Sequence, residues 1–337
     1  MIRSSLTLRL TLAASAAALA IGAAAALGIA HGAAASTPRT PTTGVVVVTT
    51  NLGYQDSAAA GTGIVLSSSE VLTNNHVIRG ATAVRVTDVS TGRTYAATVA
   101  GYDVSADIAL LKINASGLKT AAIGNSGGIK VGQHVTAVGN AGGTGTLTVA
   151  KGALTALHQA ITVSDDQGGS SRLADLIETS AQLQPGDSGG PLLDGSGRVI
   201  GVDAAGSAGD SRFQQSTGDG YAIPINTATA IVHQIEAGHS SSAVHIGPTA
   251  FLGVGISGNA VSGAMVDGVV QGGPADQAGL AAGDVITSFG GHSVSSPTSL
   301  QLLLRQASPG KSYVVAWVDQ FGNATSATIR PLSGPPQ

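Results

Sequence analysis

Gln184-Pro185-Gly186-Asp187-Ser188-Gly189-Gly190-Pro191 decides how this chain is read. A serine hydroxyl is a weak nucleophile at its own pKa. It becomes useful only beside a base that takes its proton and donors that receive the oxyanion it creates. The stretch offers two of those parts. Ser188 carries the hydroxyl, and the glycines permit a tight turn in which the N–H groups of Gly186 and Ser188 converge on one point. Gly, Asp, Ser and Pro are also ordinary turn residues, so the reading depends on a histidine and an aspartate in matching settings elsewhere.

The histidine is His76. Gly61-Thr62-Gly63-Ile64-Val65-Leu66 and Val71-Leu72-Thr73-Asn74-Asn75-His76-Val77-Ile78 are β-rich and flank Ser67-Ser68-Ser69-Glu70, which reads as a hairpin turn. This places His76 where the second run ends, at a strand-to-loop edge. The aspartate is Asp107, directly before the apolar strand Ile108–Ile113. A carboxylate there is partly buried and can accept the other ring N–H of the histidine, fixing its tautomer. Asp103, in Gly101-Tyr102-Asp103-Val104-Ser105, is the rival acid. Its segment reads as a turn, so Asp107 is favoured. Gly124-Asn125-Ser126-Gly127-Gly128 offers a competing serine, but it follows Asp107 by only 19 residues. It also lacks the apolar strand that Pro191-Leu192-Leu193 supplies after Ser188; Ser126 reads as a loop residue.

The order His…Asp…Ser, together with these motifs, resembles the chymotrypsin-fold serine proteases of the HtrA (Deg) type. Within that group it is most similar to the secreted PepA-type enzymes of mycobacteria and related actinobacteria. The resemblance also rests on Tyr221-Ala222-Ile223-Pro224-Ile225 and His245-Ile246-Gly247-Pro248-Thr249-Ala250-Phe251-Leu252-Gly253, and covers nearly the whole chain after its first residues. It implies a mainly β fold: a chymotrypsin-like double β-barrel followed by a PDZ domain, with His76 and Asp107 from the first barrel and Ser188 from the second. The implied activity is hydrolysis of peptide bonds in protein or peptide substrates, with no cofactor. The oxyanion hole is Gly186 and Ser188, and the substrate pocket is Gln182, Leu183, Val202, Asp203 and Ala204. Gln182 stands where trypsin-like enzymes keep an aspartate, so Lys or Arg selection is not expected. Small or medium apolar residues are expected at the cleaved position.

The tail carries the second half of the resemblance. Phe251-Leu252-Gly253-Val254 matches the carboxylate-binding loop of a PDZ domain, which holds peptide C-termini through backbone N–H groups. Gly273-Pro274-Ala275-Asp276 through Ile286 matches a stretch that recurs in bacterial protease PDZ domains. Ser296-Pro297 caps a helix reaching about Arg305, with Leu300, Leu303 and Leu304 on one stripe. Residues 313–319 and 324–330 read as a closing hairpin. Asn226 to Ala237, with Asn226 as N-cap and Gly238 as stop, reads as a helix closing the first domain.

The expected division is a signal peptide at 1–35, a protease domain at 36–238, a linker at 239–244 and a PDZ domain at 245–334. Arg3 and Arg9 precede an uncharged apolar run, and Ala33-Ala34-Ala35 supplies the small residues of a cleavage site. Export with removal of the leader is expected; residues 10–30 would anchor the chain in a membrane if the leader were kept. The chain has no cysteine, so an exported form relies on its core. Its 19 acidic against 16 basic residues give no support for nucleic-acid binding. None of His134, His158, His233, His239, His245 or His292 has metal-site spacing, and no metal is expected. A homo-oligomer is compatible with the resemblance. A peptide-binding or chaperone protein with an idle triad is the alternative from a different class. An α/β-hydrolase is excluded by the residue order.

Overall fold

Short β-rich runs separated by turn residues build two barrels and a smaller sheet domain. The structure, a computed structural model, describes residues 40–164, 170–205, 220–258 and 262–337. The expected leader at 1–35, with its alternative as an anchor, lies outside the described residues. Among the described residues no helix is long and apolar enough to cross a membrane.

The first barrel comprises β1 (Val45–Leu52), β2 (Ser57–Ser67), β3 (Glu70–Thr73), then the one-turn helix α1 (Asn75–Ile78), β4 (Ala83–Asp88), β5 (Arg93–Asp103) and β6 (Ile108–Ile113). Its strands run β5-β4-β1-β2-β3-β6, and β5 pairs back onto β6 to close the ring. The second is a closed barrel of β7 (His134–Gly139), β8 (Thr148–Ser164), β9 (Ser170–Thr179), β10 (Pro191–Leu193), β11 (Val199–Ala205) and β12 (Gly220–Pro224). Closure leaves neither barrel with a free sheet edge along its ring. Ile64, Leu72 and Ile108 of the first barrel share one apolar core with Val138, Leu193 and Val202 of the second. This seam fixes the angle between the two halves of the site.

The helix α2 (Ile225–Glu236) packs Ala228, Ile231, Val232 and Ile235 into the same seam. Gly238 stops it in the left-handed region at φ 71°, as expected. The cap differs from expectation: Pro224 precedes the first turn, and no side chain caps it. Asn226 instead donates from Nδ2 to Asn125 Oδ1 (2.9 Å), and its Oδ1 accepts the Ser126 N–H (3.2 Å). The stretch after α2, expected as a linker into the PDZ domain, leads to β13 (Val244–Ile246), which adds to the first barrel at β5 through Val244↔Asp103 and Ile246↔Gly101. The strand at the expected start of the PDZ domain therefore lies on the protease half. Val244 is buried in the inter-barrel core, which rewards that pairing.

The remainder forms β14 (Thr249–Phe251), β15 (Val254–Ser257), β16 (Ala264–Val269), α3 (Pro274–Gln277), β17 (Val285–Phe289), β18 (His292–Ser293), α4 (Pro297–Gln306), β19 (Tyr313–Val318), β20 (Ala324–Ile329) and β21 (Leu332–Gly334). Ser296 caps α4 reciprocally with Ser299, and Leu300 and Leu304 enter a core with Trp317 and Phe289. β19 and β20 form the expected hairpin.

Aromatic and hydrogen-bond contacts tie this domain to the first barrel. Tyr54 stacks on Phe251 with ring centroids 4.7 Å apart. The fully buried Tyr102 shares a hydrogen bond with Thr249 Oγ1 (2.9 Å) and accepts the Gln337 N–H (3.3 Å). Burial pushes the Tyr102 phenol up, so it stays protonated at neutral pH. Tyr102→Phe keeps the ring and removes both bonds. Urea unfolding of this variant should show a loss of about 1–2 kcal/mol; unchanged stability would mean the hydroxyl contributes nothing to the domain junction.

Candidate active site

The three candidate catalytic residues lie in connections beside strands: His76 on α1 after β3, Asp107 directly before β6 and Ser188 in the turn before β10. β3 ends at Thr73, earlier than the sequence pattern suggested, because Asn74 is extended and Asn75 begins α1. His76 therefore sits on a helical turn rather than at a strand edge. Its Nδ1 lies 2.6 Å from Asp107 Oδ2, and its backbone N–H donates to Asp107 Oδ1 at 2.9 Å. One carboxylate thus holds both the ring and the main chain of the histidine. Asp107 is 6% exposed and adopts a left-handed φ of 54°, a conformation Asp tolerates better than most residues. Asn74 Nδ2 donates to the Asp107 carbonyl (2.8 Å) and holds that turn from the histidine side. With Asp107 as acceptor, Nδ1 carries the proton and Nε2 is left as the base. Nε2 is buried and has no partner among the described residues.

Asp103, the rival acid, is spent locally. Its Oδ1 accepts the Ser105 hydroxyl (2.6 Å) and the N–H groups of Ser105 (2.8 Å) and Ala106 (3.0 Å). Ser126 is likewise occupied in seating α2, where its Oγ accepts the Asn226 N–H at 3.2 Å.

Ser188 is buried in a turn whose peptide planes are each fixed. The Pro185 carbonyl accepts the Gly142 N–H (2.7 Å), and the Asp187 carbonyl accepts the Gly190 N–H (2.9 Å). In a trans peptide the C=O and the following N–H point in opposite directions. These two bonds therefore turn the N–H groups of Gly186 and Ser188 away from the protein frame that holds the carbonyls. No acceptor among the described residues takes either N–H. Gly186 has φ 99°, and a Cβ there would collide with the Asn140 carbonyl. Glycine is required both by conformation and by space. The Ser188 carbonyl accepts the Thr62 N–H (2.8 Å), and a Cβ on Gly61 would lie 2.7 Å from Val77 and 3.1 Å from that same carbonyl. The serine turn and the histidine helix thus meet over Gly61. Among the described residues no hydrogen bond reaches the Ser188 hydroxyl; the bond from a catalytic hydroxyl to its base commonly tightens only when substrate is bound.

Of the five expected pocket residues, Gln182 is exposed and Leu183, Val202, Asp203 and Ala204 are buried. Asp203 is 0% exposed, and neither carboxylate oxygen has a partner among the described residues. Desolvation pushes its carboxyl well above the ordinary carboxylate range, and the neighbouring Asp187 raises it further. Asp187 is raised by burial too, while its Oδ2 accepts the Gln184 N–H at 2.9 Å. The second carboxylate oxygen of Asp187 has no partner among the described residues. Among the described residues no group of three His, Asp or Glu side chains gathers as a metal site would need.

At the other end of the chain, Leu252 and Gly253 form a turn held by Ala275 N–H to Leu252 O (2.9 Å) and Val270 N–H to Gly253 O (2.8 Å). Phe251 and Val254 flank this turn. A groove of about 550 Å³ runs past it, between β15 and the α4 residues Thr298, Gln301 and Leu304.

A trypsin-like peptidase domain matches residues 61–202, and a PDZ domain matches residues 265–318. The chain is a trypsin-like peptidase domain followed by a PDZ domain. This trypsin-like, PDZ-bearing chain is 32% identical over 305 residues to the serine protease PepD of Mycobacterium tuberculosis, covering 85% of this chain and 63% of that protein. It is 33% identical over 294 residues to the chloroplastic Protease Do-like 1 of Arabidopsis thaliana, covering 80% and 65%. A Chlamydia pneumoniae protein named a probable periplasmic serine endoprotease, DegP-like, is 36% identical over 246 residues, covering 71% and 48%. The chain spans less than two thirds of the length of each of these relatives.

The residues that sequence reasoning missed are those that hold the site rather than act in it: Thr62, Thr73, Asn74, Asn140 and Gly142. Thr62 lay inside a quoted motif, but nothing in its spacing announced a hydroxyl aimed at the other barrel.

Asp203 generates a stability prediction with a definite sign. Below about pH 4 its carboxyl is neutral in both folded and unfolded chains. Above that, the unfolded chain ionises while the folded one keeps its proton, so stability falls as pH rises toward the raised folded value. Asp203→Asn does not titrate. Its stability advantage over the parent, read by urea unfolding, should therefore grow from pH 4 to pH 7; parallel stability curves would contradict the buried-acid account.

Proposed function

We propose that the chain is a secreted serine endopeptidase that hydrolyses peptide bonds of unfolded or surface proteins through an acyl-enzyme. Ser188 attacks the carbonyl carbon, and His76 takes its proton at Nε2 and later gives it to the leaving amine. Asp107 holds the neutral tautomer and stabilises the imidazolium once it forms. The N–H groups of Gly186 and Ser188 receive the oxyanion; a donor of this kind lowers the barrier by about 3 kcal/mol in a comparable protease. The observation that carries the reading is the two-point grip of Asp107 on His76 beside a serine turn with two unclaimed amides.

The finer parts of the proposal rest on the same resemblance. Residues 36–238 form the protease domain and residues 245–334 the PDZ domain, with β13 contributed to the protease side. The pocket around Gln182, Leu183, Val202, Asp203 and Ala204 takes small or medium apolar side chains. The Phe251-Leu252-Gly253-Val254 loop holds peptide C-termini, an assignment supported by the unclaimed N–H groups of Leu252 and Gly253 among the described residues. Work outside the cytoplasm is supported by the periplasmic name of the chlamydial relative and by the leader at 1–35. Association into a homo-oligomer completes the proposal.

A fluorophosphonate probe should label the wild-type chain, with the adduct mapped to Ser188. Ser188→Ala should keep its melting temperature, lose labelling, and lose casein turnover by about 10³-fold or more. Asp107→Asn should lose about as much, because the wrong tautomer of His76 is then favoured. Full turnover by a correctly folded Ser188→Ala protein would overturn the assignment.

A further inference from the structure

Thr62 uses every polar group it has on the catalytic turn or its support. Its N–H donates to the Ser188 carbonyl (2.8 Å), and its hydroxyl donates to the Gly186 carbonyl (2.7 Å). The same hydroxyl accepts the Asn140 N–H (2.9 Å), and its carbonyl accepts the Thr73 hydroxyl (2.7 Å). The residue is 0% exposed, so no water competes for these bonds. Thr62 belongs to β2 of the first barrel, whereas its two acceptors bracket the nucleophile on the second. The carbonyls on either side of Asp187 and Ser188 are thereby clamped by one residue from across the cleft.

The consequence follows from which peptide planes remain. Gly142 fixes the plane that ends in the Gly186 N–H, and Gly190 fixes the plane that ends in the Ser188 N–H. The plane between them, Gly186 to Asp187, is held by the Thr62 hydroxyl at its carbonyl and by the Asp187 N–H to Gln184 O bond (2.9 Å) at its other end. Gly186 is a glycine at positive φ, so nothing intrinsic to it resists rotation of that plane. Without the hydroxyl, the middle plane loses its inter-barrel anchor, and the two amides on either side no longer share one aim. The Asn140 N–H, also buried, loses its acceptor at the same time.

We propose that Thr62 is a positioning residue for the oxyanion hole: it sets the Gly186–Ser188 turn from the opposite barrel through its hydroxyl, without touching substrate. This rests on the reading of Ser188 as the nucleophile. Its effect belongs to the transition state, where charge appears on the carbonyl oxygen, and not to ground-state binding of the peptide.

The test is a series at this one position. Thr62→Ser keeps the hydroxyl and should keep kcat within about threefold of wild type. Thr62→Val is nearly the same size and cannot make the two hydroxyl bonds; its kcat should fall by about 10²-fold with KM changed less than about threefold. Its fluorophosphonate labelling rate should fall in parallel. Thr62→Cys fills the same space with a weaker donor and acceptor, and gives a second reading if the valine variant does not fold. It should keep its melting temperature and show an intermediate loss of kcat. A folded valine or cysteine variant with wild-type kcat would overturn the proposal. So would a serine variant as slow as the valine one, or a loss confined to KM. If the wild-type chain itself neither turns over casein nor labels at Ser188, it is the protease reading that has failed rather than the role of Thr62.

Discussion

The candidate catalytic groups come from two closed barrels, His76 and Asp107 from one and the Ser188 turn from the other, so the proposed site exists only while one barrel is held in register with the other. That constraint is met in two ways of different character. The apolar seam of Ile64, Leu72 and Ile108 against Val138, Leu193 and Val202 supplies the bulk of the free energy, at about 25 cal/mol for each Å² removed from water. Apolar burial is non-directional and cannot by itself aim an amide. Direction comes from a few buried hydrogen bonds that cross the seam from Thr62 to the carbonyls of Gly186 and Ser188. These are valuable because they are satisfied in a place water does not reach, where a broken partner would cost about 1–3 kcal/mol.

The same division explains what the sequence could and could not disclose. Alternating apolar runs and turn residues made the barrel strands legible, and Ile108–Ile113 and the Ser67–Glu70 hairpin fall where the pattern put them. The candidate site was legible because a hydroxyl, an imidazole and a carboxylate are rare enough in suitable settings for their order to carry meaning. The preference for Asp107 over Asp103 rested on one carboxyl preceding an apolar strand and the other sitting in a turn; Asp103 is indeed consumed by its own loop. Long-range partners left no local signal. Nothing near Asn226 indicated that its side chain would turn to Asn125 instead of capping α2, and nothing near Val244 indicated that it would be claimed by β5. The left-handed φ of Asp107 was equally silent, since Asp is only modestly enriched there.

Buried polarity in this molecule is spent unevenly. Around Thr62 and Asp107 the main-chain groups that hold the turns are paired, while Asn74 Oδ1 and Asn140 Nδ2 are buried without a partner among the described residues. Beneath the serine turn, Asp187 and Asp203 have three oxygens between them that find no partner among the described residues. Desolvation and their mutual repulsion favour the protonated acid there. Asp203 also bonds through its backbone to Gly189 and Gly190 on either side of the ladder (both 2.8 Å), so an uncomfortable side chain is attached to a well-made stretch of main chain. The junction with the PDZ domain is more economical: an aromatic stack and the Tyr102 hydroxyl join surfaces that otherwise bring Pro336 O to the Gly80 N–H (2.8 Å) and Gln337 O to Asn75 Nδ2 (3.2 Å), on the turn that carries His76.

The central claim is geometric: side chains from one barrel and amides from the other converge on a single reacting carbonyl. A crystal structure of the chain after reaction with a peptidyl phosphonate measures this directly. The account predicts phosphorus bonded to Ser188 Oγ, His76 Nε2 within hydrogen-bonding distance of that oxygen, and the phosphonyl oxygen about 2.7–3.1 Å from both the Gly186 and Ser188 nitrogens. An adduct on another serine such as Ser126, or one on Ser188 whose phosphonyl oxygen faces the Gly186 carbonyl instead of the two amides, would contradict it.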